Sequence, residues 1–312
     1  MHLSSARDLY SFYSLENKSD VYLAYLYLKH MDHFLLHVFQ GLGLPFRELP
    51  EPPGETVDDL LTAYVAHIAE AAPSLETNIY HGKILTLRDA VQLVTQRDPL
   101  ALPPVSDRVL PYRIARDVIL EHPQAIAVGT CPCRRVSPAP CLPPPQEVCL
   151  ILGEPFASFI AEHNPQFRKI EQREAVEVLQ AAHERGNVHA GYFKKEMGGR
   201  LFALCNCCSC CCVGVRMWNL LDGAVPFLAP SGYVSVVGPE CDGCGACAEG
   251  RCPFRALRID EAAARAVVDA RKCMGCGACE RCCPVGALRL ERDPAKGEPL
   301  DVEELMRKLV AT

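Results

Sequence analysis

Two cysteine runs near the C-terminus have the composition and spacing of a metal-cluster site. The first is Cys241-Asp-Gly-Cys244-Gly-Ala-Cys247, followed by Cys252-Pro253. The second is Cys273-Met-Gly-Cys276-Gly-Ala-Cys279, followed by Cys283-Pro284. Three thiols at intervals of three wrap a tight loop around one side of a cluster whose corners each need one thiolate. The glycines let the backbone turn and bring amide N–H groups toward the sulfurs. The fourth ligand must come from elsewhere, and the proline after it redirects the chain. Zinc in paired four-cysteine sites is the alternative, but such sites use two separated cysteine pairs. Cys282 lies outside the pattern and reads as a spare thiol.

Ten further cysteines lie upstream. Cys131-Pro-Cys133-Arg134 is followed by Cys141 and Cys149, and then by Cys205-Asn-Cys207-Cys208-Ser-Cys210-Cys211-Cys212, six cysteines in eight residues. Sequence neighbours suit disulfide geometry poorly, and ordinary packing does not call for so many thiols together. Concentrated soft thiolates point to an iron–sulfur cluster or another thiophilic metal. The candidate ligands are Cys131, Cys133, Cys205 and Cys208, with Cys141, Cys149 and Cys207 as alternates. Arg134 would offset negative charge there. A zinc site or a set of redox thiols is the competing reading. His189 is either a ligand or proton donor near this group, or a loop histidine.

The whole chain has 19 cysteines, an odd number, and 312 residues. Disulfide scaffolds are short and exported, and Met1–Asp8 shows no basic segment followed by an apolar core. Reduced thiols in the cytoplasm are therefore expected. A net charge of −6 without a basic stripe argues against nucleic acid as a partner. Val21–Phe39 is the one candidate membrane segment. Lys29, His30, Asp32, His33 and His37 interrupt it, so an amphipathic helix is expected, with peripheral membrane contact as the minor alternative and no transmembrane span. His30, His33 and His37 share a helical face, which reads as a polar stripe before it reads as a metal site.

The elements that must hold these residues follow from pattern. A helical region is expected over 1–104, with helices at Asp20–Gln40, Val57–Ala71 (Thr56 as cap) and Leu87–Gln96 (Thr86 as cap, Asp89 three residues on). A Pro/Glu-rich connector occupies Leu44–Glu55. A cysteine-rich α/β module is expected over 105–230, with strands Ala125–Val128, Val148–Leu152 and Leu201–Leu204 and helices Ile170–Arg185 and Gly214–Leu221. A middle strand antiparallel to the other two would gather Cys131, Cys149 and Cys205 at one end of a small sheet. Residues 231–293 form the duplicated cysteine unit, repeating after 32 residues from Cys241 to Cys273. A β-prone stretch precedes each run, Tyr233–Val237 and Ala266–Val268, and matching segments follow, Arg255–Ile259 and Gly286–Leu290. A tail over 294–312 carries a helix at Asp301–Val310.

Residues 233–293 resemble the bacterial two-cluster ferredoxins. In that family the fourth cysteine of each run serves the other cluster. The resemblance implies one [4Fe–4S] cluster on Cys241, Cys244, Cys247 and Cys283, and a second on Cys273, Cys276, Cys279 and Cys252. It also implies two β-hairpins and two short helices about a pseudo-twofold axis. The first run departs from the family in having four residues between Cys247 and Cys252, which predicts a small bulge at Glu249-Gly250-Arg251. Cys-Pro-Cys-Arg at 131–134, Val-His at 188–189 and the run from Cys205 resemble cysteine-rich modules that precede such domains in some anaerobic iron–sulfur proteins, which adds metal binding but no reaction.

The expected fold class is α+β: a helical, cysteine-rich N-terminal region followed by a pseudo-twofold ferredoxin-like domain. Three functions compete. The first is electron transfer between redox partner proteins. The second is an oxidoreductase, or a subunit of one, in which an upstream metal centre binds substrate and the ferredoxin domain feeds it. The third is a redox sensor with structural clusters. No Gly-rich dinucleotide fingerprint, no Cys-x-x-Cys-His and no basic helix-turn-helix is present. The electron-transfer reading leads, and whether the chain is itself an enzyme stays open.

Overall fold

The computed structural model describes residues 4–13, 18–50, 54–71, 80–102, 105–112, 117–141, 146–223, 227–248 and 250–310. Helices lead the chain: α1 (Ser4–Phe12), α2 (Lys18–Lys29), α3 (Met31–Gly41) and α4 (Glu55–Ala71). The helix expected over Asp20–Gln40 is two helices. His30 leaves the helical region (φ −118°, ψ 37°) and lets α3 turn away from α2. Neither piece is long, and no helix among the described residues is long and apolar enough to cross a membrane. α4 starts at Glu55, two residues before the expected Val57, so Thr56 lies inside the helix and the Gly54 carbonyl accepts from Asp58 N at 3.0 Å. Residues 51–53 of the expected connector lie outside the described residues.

A strand, β1 (Tyr80–Leu85), follows inside the stretch expected to be helical. It carries His81 and Lys83 on a buried segment, so no polar alternation marks it. α5 (Leu87–Val94) opens with the expected capping box: Asp89 N donates to Thr86 Oγ1 at 3.2 Å, and Thr86 N donates to the Asp89 carboxylate. The chain continues through β2 (Leu100–Ala101), β3 (Ile119–Leu120), β4 (Ile126–Thr130), α6 (Pro132–Val136), β5 (Glu147–Leu152), α7 (Phe156–His163), β6 (Phe167–Ile170), α8 (Gln172–Glu184), β7 (Val188–Lys194), β8 (Leu201–Cys207), α9 (Val213–Leu220) and β9 (Leu228–Ala229).

Seven of these strands make one sheet in the order β6-β4-β5-β8-β7-β1-β9. β5 lies between β4 and β8 and runs antiparallel to both, the arrangement that brings the cysteines together. Side chains alternate across the sheet. On one face Cys149, Ile151, Ala127 and Tyr192 join a core with α2, α3, α4 and α7. On the other, Leu150, Leu152, Val128 and Phe193 pack with α5 and α8. β1 pairs with β7, so the sheet crosses the boundary expected at 104/105.

The C-terminal part contains β10 (Tyr233–Val237), β11 (Leu257–Asp260), β12 (Arg265–Val268), α10 (Ala278–Cys282), β13 (Leu288–Arg292) and α11 (Val302–Val310). β10 pairs with β13 and β11 with β12, both antiparallel. The unit is tied to the preceding part of the chain at both ends. Ser231 N donates to Met274 O at 3.0 Å, and the tail returns so that Val302 N donates to Gln92 Oε1 at 2.9 Å. Helices and sheets are thus mixed, as an α+β reading requires.

Candidate metal centres

Each cysteine run folds as a loop that only glycine permits at its third position. Gly243 (φ 72°) and Gly275 (φ 66°) occupy equivalent places, and a Cβ on either would strike backbone, at Ala264 O and Tyr233 O respectively. The loops close two pockets. One is lined by Cys241, Cys244, Cys247 and Cys283, with Ile259, Ala266 and Leu288 behind them. The other is lined by Cys252, Cys273, Cys276 and Cys279, with Phe254, Leu257 and Val268 behind. Each pocket takes three thiols from one run and one from the other. Cys282 lines neither and donates to Cys279 O at 3.3 Å. Gly250 takes a positive φ of 69° in the longer first run; Glu249 lies outside the described residues.

Backbone amides aim at the sulfurs. Ala256 N donates to Cys252 Sγ at 3.3 Å and Ala287 N to Cys283 Sγ at 3.1 Å, each four residues after its cysteine. Ala266 N of β12 donates to Cys241 Sγ at 3.3 Å, while Ser235 N of β10 donates to Cys273 Sγ at 3.4 Å. Such donors stabilise thiolate charge, so each pocket has both the donor set and the polarity that a [4Fe–4S] cluster needs. The pockets differ in access. Cys244 is exposed, whereas Cys273, Cys276 and Cys279 are all buried. Burial, unrelieved by solvent, holds the Cys276 thiol well above the ordinary range, and it raises Cys279 to about 12.

Upstream, a cavity of about 50 Å3 opens between the cysteine face of the sheet and α2, α3 and α6. Cys131, Cys133, Cys149, Cys205, Cys207, Cys208 and Cys212 line it. β4 delivers Cys131 and α6 carries Cys133. Cys149 and Cys205 are register partners across β5 and β8, and Cys207 is two residues further along the same face. Cys149 Sγ and Cys205 Sγ are 4.0 Å apart, and Tyr192 Oη lies 3.8 Å from Cys207 Sγ and 4.0 Å from Cys212 Sγ. Hydrogen bonds from Cys133 and Cys207 hold Cys212 well below the ordinary thiol range, and one from Cys133 lowers Cys131. The neighbouring thiols and burial hold Cys133, Cys205 and Cys207 well above that range; a bound metal would take its ligands as thiolates.

Of the four expected upstream ligands, Cys131, Cys133 and Cys205 face this cavity together. Cys208 also borders it, but its closest thiol partners are Cys141, Cys210 and Cys211, all four Sγ atoms lying within 4.8 Å of one another. Cys210, Cys211 and Cys212 were not among the expected ligands. The run alone does not say that β8 ends at Cys207 and that the following turn sends successive thiols to different places.

Arg134 is fully buried between the two thiol groups. Its Nη2 donates to Asn206 O at 2.9 Å, and its Nε and Nη1 have no hydrogen-bond partner. Burial works against its charge, but Cys131 and Cys208 outweigh burial and keep its pKa above the arginine norm. His189 belongs to β7, not to a loop. Its Nδ1 is 2.7 Å from Asn206 Oδ1, and Asn206 Nδ2 donates to Val148 O. Burial lowers its pKa to about 4, so it is neutral, and it orients Asn206 rather than lining the cavity. On α3, His37 Nε2 pairs with Asp58 Oδ1 at 3.0 Å instead of converging with His30 and His33.

Residues 240–287 match the family model of the 4Fe-4S dicluster domain. This segment is a ferredoxin-type 4Fe-4S domain, with at least one [4Fe–4S] cluster as its cofactor and electron transfer as its chemistry. The match begins one residue before Cys241 and ends just after the Cys283 turn, leaving the upstream cysteines outside it. No curated protein matches the chain.

Proposed function

We propose that the chain is an electron-transfer protein whose ferredoxin-type domain holds two [4Fe–4S] clusters. One is held by Cys241, Cys244, Cys247 and Cys283, the other by Cys252, Cys273, Cys276 and Cys279. The observation that carries this reading is the pair of four-thiol pockets, each completed by the fourth cysteine of the opposite run. The crossed amide donors support a pseudo-twofold relation between the halves. A bound [4Fe–4S] cluster supplies one-electron chemistry; the chain's own residues hold it, shield it and set its hydrogen bonding.

Exposure gives the two pockets different tasks. The Cys244 pocket lies at the surface, where a redox partner protein can approach. The Cys276 pocket faces inward: Asn219 Nδ2 of α9 donates to Pro253 O at 2.8 Å, and Trp218 meets Phe254 edge to face at 6.3 Å. Cys212, at the other end of α9, is its N-cap and lines the upstream cavity. One eight-residue helix, about 12 Å long, therefore joins the inner pocket to the upstream thiols. This link favours a second reading, in which the ferredoxin-type domain feeds an oxidoreductase centre upstream, held by Cys131, Cys133 and Cys205 with Cys149, Cys207 and Cys212 beside them. The compartment proposed is the cytoplasm, where these thiols stay reduced.

The test is iron and acid-labile sulfide per chain in protein purified without oxygen, followed by redox titration monitored by electron paramagnetic resonance. About eight irons and eight sulfides support two clusters, and about twelve add an upstream cluster. Four or fewer irons in anaerobic protein would defeat the two-cluster reading.

A further inference from the structure

Cys141, Cys208, Cys210 and Cys211 form a tight thiol group at the edge of the cavity, which Cys208 borders together with six other cysteines. We infer that these four form a mononuclear tetrathiolate site for one tetrahedral thiophilic ion, zinc or iron, distinct from any cluster in the cavity. The inference goes beyond the electron-transfer reading and does not need it.

Spacing decides the nuclearity. Four metal–sulfur bonds of about 2.3 Å in a tetrahedron put the sulfurs about 3.8 Å apart. The Sγ atoms of Cys210 and Cys211 are 3.6 Å apart, and no pair in the set exceeds 4.8 Å. A cubane inserts four irons and four sulfides between its thiolates and spreads them to its outer corners, which this set is too tight to surround. The supply of thiols agrees, since the cavity keeps six cysteines without Cys208.

Charge gives a second, independent sign. A divalent ion with four thiolates carries two net negative charges, and burying that charge needs a cation beside it. Arg134 is that cation: it is fully buried, with two guanidinium nitrogens lacking any hydrogen-bond partner. Cys141 comes from the loop after α6, and the other three ligands from the turn between β8 and α9. A bound ion would tie these segments together and so fix Cys207 and Cys212, which flank the turn and line the cavity.

The test is metal analysis with X-ray absorption at the zinc and iron edges, on full-length anaerobic protein and on the Cys141→Ser/Cys210→Ser double variant. Both substituted side chains are exposed, so the fold should tolerate the change. The expected result is about one ion per wild-type chain bound by four sulfurs at about 2.3 Å, lost in the double variant, with cluster iron and sulfide unchanged. Zinc is shown by a four-sulfur shell at the zinc edge; single-site iron is shown by iron in excess of acid-labile sulfide, with a high-spin ferric resonance that the double variant loses. Retention of the ion in the double variant, loss of about four irons with their sulfide, or absence of a mononuclear ion in wild type even after incubation with zinc would each overturn the inference. Failure of the two-cluster reading would instead appear as missing iron and sulfide in wild type.

Discussion

Cys149 and Cys205 face each other across β5 and β8 with their Sγ atoms 4.0 Å apart. They are directly opposed residues of an antiparallel pair, whose Cα separation of about 4.5–5.5 Å falls in the range a disulfide can span. When the cavity holds no metal, an added oxidant such as diamide should therefore join them, each thiol giving up one electron and one proton. Peptide mapping should find the Cys149–Cys205 crosslink in metal-stripped protein and little of it in metal-loaded protein. Equal crosslinking in both would show that the cavity metal does not engage these thiols.

The proposed crossing of the ligand sets makes a prediction about kinetics. With Cys244 exposed and Cys276 buried, an iron chelator should strip wild-type protein in two phases, each worth about four irons. Cys283→Ala should abolish the fast phase and Cys252→Ala the slow one, although each residue lies in the run opposite to the cluster it serves. If Cys283→Ala removed the slow phase, the fourth ligands would not be exchanged between runs.

The cysteine triplets were legible because their chemistry is local: loop, glycine and thiol sit within seven residues. The capping box of α5 was legible for the same reason. β1 and β7 were not, because His81, Lys83, His189 and Lys194 are buried there and erase the alternation that marks a strand. The two strands pair with each other across more than 100 residues of sequence. The upstream thiols fell between these cases. That they gather in space could be expected from their number, but not which thiols group with which, because the end of β8 and the turn at 208–211 decide where each cysteine is placed.

Lys83 gives the fold a pH signature. It is almost fully buried, and its Nζ donates to Glu298 O at 2.7 Å, tying the tail to β1. Burial lowers its pKa from 10.5 to about 7, against the opposing pull of Asp89 and Glu298. Between about 7 and 10.5 the unfolded chain binds the proton that the folded chain releases, so this residue makes stability rise with pH across that window. The full gain is on the order of 5 kcal/mol. Denaturation at about pH 7 and about pH 9.5 should show wild type gaining on Lys83→Met at the higher pH. Parallel shifts of the two proteins would mean that Lys83 is not titrating there.

Phe254 joins the ferredoxin-type domain to the core around the cysteine face of the sheet. It is 2% exposed and packs against Trp218. Phe254→Ala should destabilise the protein by roughly 3–5 kcal/mol through lost burial and the cavity left behind. Anaerobic thermal unfolding should show a lower Tm with iron content unchanged at low temperature. A wild-type Tm would indicate that α9 and the ferredoxin-type domain are not packed as a unit.

Arg134 is placed to hold charge, not to ligate. Its guanidinium is near enough to Cys131, Cys208 and Cys141 for their charge to favour its own. Arg134→Gln keeps a polar side chain able to donate to Asn206 O but deletes the positive charge. Groups of this kind beside a metal site typically contribute 10–100-fold in affinity. Competition with a chromophoric zinc chelator should therefore show binding at the Cys141 site weakened by about that factor. The ferredoxin-type domain is a control within the same molecule, since Arg134 lines neither of its pockets. Its iron and sulfide should stay at wild-type levels. Unchanged zinc affinity in a folded Arg134→Gln protein would remove the electrostatic part of the argument and leave the site resting on thiol spacing alone.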